Sequence, residues 1–212
     1  MLYTQTVSPK TLELLNRLMN DTVFNRFLLV GGTALSLQLG HRLSLYLDLF
    51  CNESFDESAL AEYLRTAYHF HLDFIEKETV KGEIDGVKLD CIAHKYPWLN
   101  APNEIDGIQL AHYEDIAAMK LNAIVGNGTR MKDFIDIAYL SKKMSLNRML
   151  NAYQSKYSSN AVMVINALVY FDDINFNEPV KMIDTTKVDW QKIQKHLQRM
   201  IKNPDNIFEK IA

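Results

Sequence analysis

The chain is poor in cysteine, proline and glycine, with 2, 5 and 8 among its 212 residues. Two cysteines, Cys51 and Cys91, cannot build a disulfide framework, and their spacing fits no zinc pattern, so both read as reduced core thiols. There is no low-complexity tract and no internal repeat, which removes disordered and solenoid architectures. Charge of one sign is missing too. With 23 Lys and Arg against 26 Asp and Glu, the formal net charge of −3 excludes a basic DNA-coating protein and leaves nucleic acid only a local basic groove. No apolar run approaches the roughly 20 residues of a membrane-spanning helix. The opening MLYTQTVSPK has no apolar signal-peptide core, so the cytoplasm is the expected compartment and no membrane partner is expected.

What the sequence does have is apolar patterning, with 48% of its residues hydrophobic. A chain of this length buries roughly 70% of its unfolded surface, enough for one domain or two small lobes with a proper core. Ser8 caps a predicted first helix that ends at Asn20, with Leu12, Leu14, Leu15, Leu18 and Met19 at helical spacing. Phe27 to Val30 reads as a strand that runs into Gly31-Gly32, and Thr33 to Leu39 as a short helix stopped by Gly40. Leu45, Leu47 and Leu49 alternate with Tyr46, Asp48 and Phe50, the pattern of a strand with one oily face. A helix is predicted over 56–67. Strands are predicted over 69–75, 78–84, 87–93 and 108–111, with Asp85-Gly86 as a hairpin turn. Helices follow over 113–125, 131–143, 146–156, 161–171 and 188–202. Met144, Met149 and Met163 read as core filler. Strands first and helices second is an α+β arrangement: an α/β-like lobe over 1–112, a helical lobe over 113–212, and a cleft between them as the natural site.

Three groups of residues could carry chemistry. Gly31-Gly32-Thr33 at a strand-to-helix turn lets the backbone approach a ligand, and the helix start offers N–H groups to a phosphate. A purely structural turn is the commoner use, and the block matches neither a Walker loop nor the dinucleotide fingerprint. Asp48 stands on a strand that otherwise reads as core, where a carboxylate is costly to desolvate unless something binds it. Asp90, on the face opposite Val87, Leu89 and Cys91, poses the same question. Two carboxylates on neighbouring strands could hold Mg²⁺; the alternative is ordinary aspartates facing water. Finally, Lys120 lies in one predicted helix and Lys132, Asp133 and Asp136 in the next. Lys132 and Asp136 form an (i, i+4) pair, and a solvated charged face is the plain alternative. His69, His71 and Asp73 read as an exposed strand face. Lys187, Lys192, Lys195, Arg199 and Lys202 read as a solvated helix face.

Taken in order, Leu29-Val-Gly-Gly-Thr-Ala-Leu-Ser-Leu-Gln-Leu-Gly-His-Arg-Leu-Ser, Asp48-Leu-Phe, Asp90, Lys120 and Lys132-Asp133-Phe-Ile-Asp136 resemble the AbiEii/AbiGii nucleotidyltransferase family. Those proteins are the toxins of type IV toxin–antitoxin and abortive-infection systems. The resemblance implies a DNA polymerase β-like nucleotidyltransferase fold, a mixed sheet with flanking helices followed by a helical C-terminal lobe. It implies Mg²⁺ as cofactor, an NTP as substrate, tRNA or another RNA or a protein as acceptor, and an antitoxin as partner. Carried onto this chain, Gly31, Gly32 and Thr33 correspond to the nucleotide-phosphate loop, with Ser44 just before the metal strand. Asp48 and Asp90 are the metal ligands, Lys120 binds triphosphate charge, and Asp136 with Asp133 completes the last motif. His41 and Arg42 match the family's His-Arg; Arg42 either touches phosphate or braces the turn, and bracing is favoured.

One position departs from the pattern. The family has Asp-x-Asp where this chain has Tyr46-Leu-Asp48, and a phenol is a poor ligand for a hard cation. A two-metal transfer would lose a shared ligand there. A degenerate member that binds NTP without fast chemistry, a one-metal variant, and rescue by Glu53 are the three accounts; a catalytically impaired pseudo-transferase that binds an antitoxin or nucleic acid is the non-enzymatic alternative, and a small-molecule transferase of the same fold ranks below it.

Overall fold

In a computed structural model, residues 1–184 and 188–211 are described; Lys187 lies outside them. The chain divides into two compact units, Met1–Pro97 with Ala101–Ala111, and Trp98–Asn100 with the chain from His112 onward. The fold is α+β, with a seven-stranded mixed sheet.

The first unit holds the whole sheet. Its strands are β1 (Leu28–Leu29), β2 (Leu47–Cys51), β3 (His71–Glu76), β4 (Thr79–Ile84), β5 (Val87–Ala93), β6 (Asn103–Ile105) and β7 (Ile108–Leu110). They lie in the order β3-β4-β5-β2-β1-β7-β6. β2 runs parallel to β5 and β1 parallel to β7, and the other neighbours are antiparallel. Period-two patterning decides which face is core. Leu47, Leu49 and Cys51 of β2 are buried, as are Leu89 and Cys91 of β5, while Asp48, Phe50 and Asp90 face the other way and are half-buried. Both cysteines are free and buried. Burial first, and Asp90 next in the chain second, push the Cys91 thiol far above its ordinary value, so it stays protonated and inert.

Three helices flank the sheet: α1 (Pro9–Met19), α2 (Gly31–Leu39) and α3 (Glu57–Tyr68). The Ser8 hydroxyl accepts from Thr11 N–H and the Asp56 carboxylate from Ala59 N–H, so both α1 and α3 begin on a side-chain cap. α2 stops at Gly40, whose φ of 70° is left-handed. Several expectations need correction. β1 is two residues long, not four, because the chain leaves the sheet at Gly31, whose φ is positive, and turns directly into α2; Val30 N–H still donates to the Asp48 carbonyl in register with the β1–β2 pairing. β2 starts at Leu47, so Leu45 is no part of the oily face and is 61% exposed. β6 is an additional strand, joined to β7 by Asp106-Gly107, both at positive φ like Asp85-Gly86. β3 is an exposed edge strand, and its pairing with β4 shifts register between Leu72 and Phe74.

The second unit is helical: α4 (Tyr113–Gly126), α5 (Met131–Leu140), α6 (Leu146–Tyr157), α7 (Ala161–Ala167) and α8 (Trp190–Lys202). Its interior contains charge. Lys156 Nζ lies 2.8 Å from Asp115 Oδ1 with both side chains fully buried. Asp115 also accepts from the Leu99 and Asn100 N–H groups at 3.0 and 3.3 Å, and Lys156 stands 4.6 Å from the centroid of the Trp98 ring. Those contacts explain why Trp98–Asn100 clusters with the helices. α7 ends four residues before the predicted boundary at 171, and Met163 on it is 57% exposed, whereas Met144 and Met149 are core as expected.

His196 of α8 is buried, with its Nε2 2.8 Å from Ser141 Oγ and its ring against Phe208. Desolvation, helped by the Arg199 charge, lowers its pKa to about 4. The unfolded state therefore binds the extra proton first. Stability contributed by the neutral ring is complete above about pH 6.5 and is lost as pH falls toward about 4, by up to about 3 kcal/mol. His196→Asn should flatten the urea-unfolding stability profile across that window, and an unchanged slope would show that another group titrates there.

Candidate active site

The sheet register builds the centre of the site. Asp48 of β2 pairs with Asp90 of β5, and Asp90 pairs in turn with Lys81 of β4. Registered neighbours project to the same face, so the three side chains form a row across adjacent strands. Lys81 Nζ is 3.0 Å from Asp90 Oδ2.

The Gly31-Gly32 turn closes on this row. Gly31 has φ of 67°, and a Cβ there would stand 2.5 Å from Asp48 Oδ2, so the carboxylate occupies the space that any other residue would need. At Gly32 a Cβ would collide with the Arg42 guanidinium. Arg42 is buried and donates through Nη1 to the Leu43 carbonyl at 3.0 Å, which fits a brace for the turn. Thr33 Oγ1 donates to the Tyr46 carbonyl and lies 2.9 Å from Ser44 Oγ. Thr33, Ser44, His41 and Arg42 are all buried. They hold the turn against the start of β2, while the glycine backbone and the two carboxylates form the more accessible part.

The structure thus brings Gly31, Gly32, Thr33, Arg42, Ser44, Asp48 and Asp90 into one group. Tyr46 precedes β2 and its side chain is half exposed; its carbonyl is what ties to Thr33. Glu53 is exposed and lies beyond the far end of β2, about 16 Å of extended chain from Asp48. Among the described residues no three His, Cys, Asp or Glu side chains gather as a metal cage.

Lys120 and Asp136 belong to the helical unit and form their own cluster. Lys120 Nζ on α4 is 2.6 Å from Asp133 Oδ1 and 2.8 Å from Asp136 Oδ2 on α5. Asp133 also receives Arg130 through Nε and Nη2, each at 2.7 Å. Asp133 and Asp136 are buried rather than on a solvated face. The expected Lys132–Asp136 pair is replaced: Lys132 reaches Glu178 at 3.3 Å, and Asp136 turns inward to Lys120. Spacing along one helix suggested the wrong partner because α4 packs against α5 on the side where Asp136 emerges.

Lys81 and Arg130 were missed by the sequence reading. For Lys81 the signal was present. A two-residue Asp85-Gly86 turn pairs Ile84 with Val87, and counting back from it pairs Lys81 with Asp90.

Comparison with known proteins adds a family and a fold. The family model described as "Nucleotidyl transferase AbiEii toxin, Type IV TA system" matches residues 13–103 and 85–210. The Aquifex aeolicus (strain VF5) protein aq_aa25 is 28% identical over 197 residues, covering 90% of this chain and 93% of that protein. A crystal structure of an H. pylori protein assigned as a nucleotidyltransferase superposes with a TM-score of 0.59 at 20% identity, over 92% of this chain and 95% of that one. The solution structure of the antibiotic-resistance factor ANT(2'')-Ia gives 0.53 at 14% identity, over 70% and 92%. At these identities the two structures are similar to this chain in fold alone.

Two pairs of substitutions test the geometry. Gly86→Ala, at positive φ in open space, should cost about 1–2 kcal/mol in urea unfolding. Gly31→Ala should cost about 1–3 kcal/mol more, because it also displaces Asp48; equal losses would mean that the carboxylate does not fill that space. Lys120→Met removes the ammonium shared by two buried carboxylates and should cost about 3–5 kcal/mol. Lys132→Met, whose partner Glu178 is exposed, should cost under about 1 kcal/mol by the same measurement.

Proposed function

The chain belongs to the AbiEii nucleotidyl transferase toxin family of type IV toxin–antitoxin systems, and on that premise we propose that it binds an NTP with Mg²⁺ at the Asp48–Asp90 pair. The nucleotide is then transferred to a hydroxyl of an RNA, tRNA included, or of a protein: the hydroxyl oxygen bonds to the α-phosphorus, the α–β phosphoanhydride breaks and pyrophosphate leaves. The observation that carries this reading is the in-register placement of Asp48 beside Asp90, with the Asp48 carboxylate pressed against Gly31.

The donor set fits one hard cation. Mg²⁺ keeps several waters and takes one or two carboxylates plus substrate phosphates, and Asp48 and Asp90 supply those carboxylates. When bound, the ion offsets phosphate charge and lowers the pKa of the attacking hydroxyl. The chain's own residues do the remaining work. Gly31 and Gly32, at the N-terminal end of α2, admit a phosphate to backbone N–H groups. Arg42, Thr33 and Ser44 fix the turn from beneath. One carboxylate accepts the proton of the acceptor hydroxyl. Lys120 and Asp136 stay in the proposal as the charged residues of the family's later motifs, Lys120 as the triphosphate cation. An NTP substrate and two buried thiols fit the cytoplasm, and an antitoxin is the partner the family description implies. No helix among the described residues is long and apolar enough to cross a membrane.

Tyr46 favours a second reading. With a phenol where the family pattern has a carboxylate, the chain fits a slow transferase or a module retained for binding an antitoxin or nucleic acid. Titration calorimetry with each NTP in the presence of Mg²⁺ should show saturable binding that chelation abolishes, and its absence would overturn the proposal. Tyr46→Asp should raise transfer of labelled nucleotide to RNA or protein by about 100-fold. Equal transfer by parent and variant would show that position 46 is no ligand.

A further inference from the structure

The row across β4, β5 and β2 contains two carboxylates and one ammonium. Lys81 is fixed opposite Asp90 by the Asp85-Gly86 turn, and Asp90 is fixed opposite Asp48 by the parallel pairing of β5 with β2. The ammonium lies 3.0 Å from Asp90 Oδ2, with 38% of the Lys81 side chain and 29% of the Asp90 side chain still exposed. The pair is therefore reachable by a ligand and is not a sealed structural bridge; an exposed ion pair of this kind contributes little to stability.

A site that handles a triphosphate with two divalent ions needs carboxylates shared between them. No third carboxylate gathers with Asp48 and Asp90: Tyr46 stands two residues before Asp48, and Glu83, on the same face of β4 as Lys81 but opposite Lys88, completes no cage of three metal-ligating groups among the described residues. A second ion would have to share Asp90 with a cation already seated on it. Lysine is suited to that position: its ammonium is a compact point charge with three donors, and it binds phosphate oxygens well.

We propose that Lys81 takes the place of a second divalent ion. Its ammonium, held on Asp90, receives a phosphate oxygen of the bound nucleotide, and the site takes one divalent ion per nucleotide. The proposal rests on the nucleotide-binding reading above and adds to it a residue and a stoichiometry. It involves no bond making or breaking: Lys81 exchanges part of its contact with Asp90 for one with the phosphate.

The test uses the full chain, a non-hydrolysable NTP analogue and Mn²⁺ as a spectroscopic stand-in for Mg²⁺, with calorimetry for affinity and electron paramagnetic resonance for the number of bound ions. The parent should hold one Mn²⁺ per nucleotide complex. Lys81→Met should keep the parent's circular dichroism and melting temperature, bind the analogue about tenfold more weakly, and bind Mn²⁺ alone about tenfold more tightly because the competing ammonium is gone. Lys81→Arg should retain nucleotide affinity within about threefold, since it keeps the charge. Two bound ions in the parent, or unchanged affinities in Lys81→Met, would overturn the role of Lys81 while leaving nucleotide binding in place. Failure of the parent to bind the analogue at all would overturn both.

Discussion

Parallel pairing of β2 with β5 sets Asp48 against Asp90 on one face and, on the other, Leu47 against Leu89 and Leu49 against Cys91. The two faces constrain each other. A slip of one residue would carry the aspartates into the core and the leucines out of it, so the apolar side enforces the register that the polar side uses. The carboxylates consequently need no interaction of their own to stay together. Their alignment is a by-product of burying Leu47, Leu49, Leu89 and Cys91, and the same logic extends one strand further to Lys81 through the hairpin.

The two units treat charge differently. In the sheet unit the carboxylates of the candidate site, Asp48 and Asp90, are only half-buried. In the helical unit Asp115 with Lys156, and Lys120 with Asp133 and Asp136, are removed from water almost entirely. Pairs of that kind gain little net stability over an apolar packing but strongly penalise any arrangement that separates them. They act as alignment devices: α4 can pack against α5 and α6 only where each ammonium meets its carboxylates. Lys120 and Asp136 are therefore structural residues of the helical unit, whatever else they do.

Much of this was legible in the sequence. Alternation in Leu47 to Cys51 and Val87 to Ala93 located both aspartates on the face away from the core. Ser8 and Asp56 marked two helix starts, and Gly40 marked a helix end. Boundaries failed where local and tertiary signals diverged. β1 is short because the chain turns into α2 at Gly31 directly after Val30, a turn whose tightness the apolar run does not announce. β6 was overlooked although Asp106-Gly107 carries the same turn chemistry as Asp85-Gly86. The partner of Asp136 could not be read from α5 alone, because helical periodicity identifies a face but not which neighbouring element meets it. Pairing across the Asp85-Gly86 hairpin, by contrast, follows from counting, and Lys81 was available to that arithmetic.

The sheet has one conspicuous open margin. β3 leaves Leu72, Phe74 and Ile75 more than one third exposed beside a row of unpaired backbone groups, the kind of border on which a foreign extended segment can nucleate. Its register shift between Leu72 and Phe74 interrupts that row after two residues and twists it. A would-be eighth strand meets a broken ladder at Asp73, so the irregularity limits polymer growth from this border while leaving the interior strands free to keep the regular spacing that the carboxylates need.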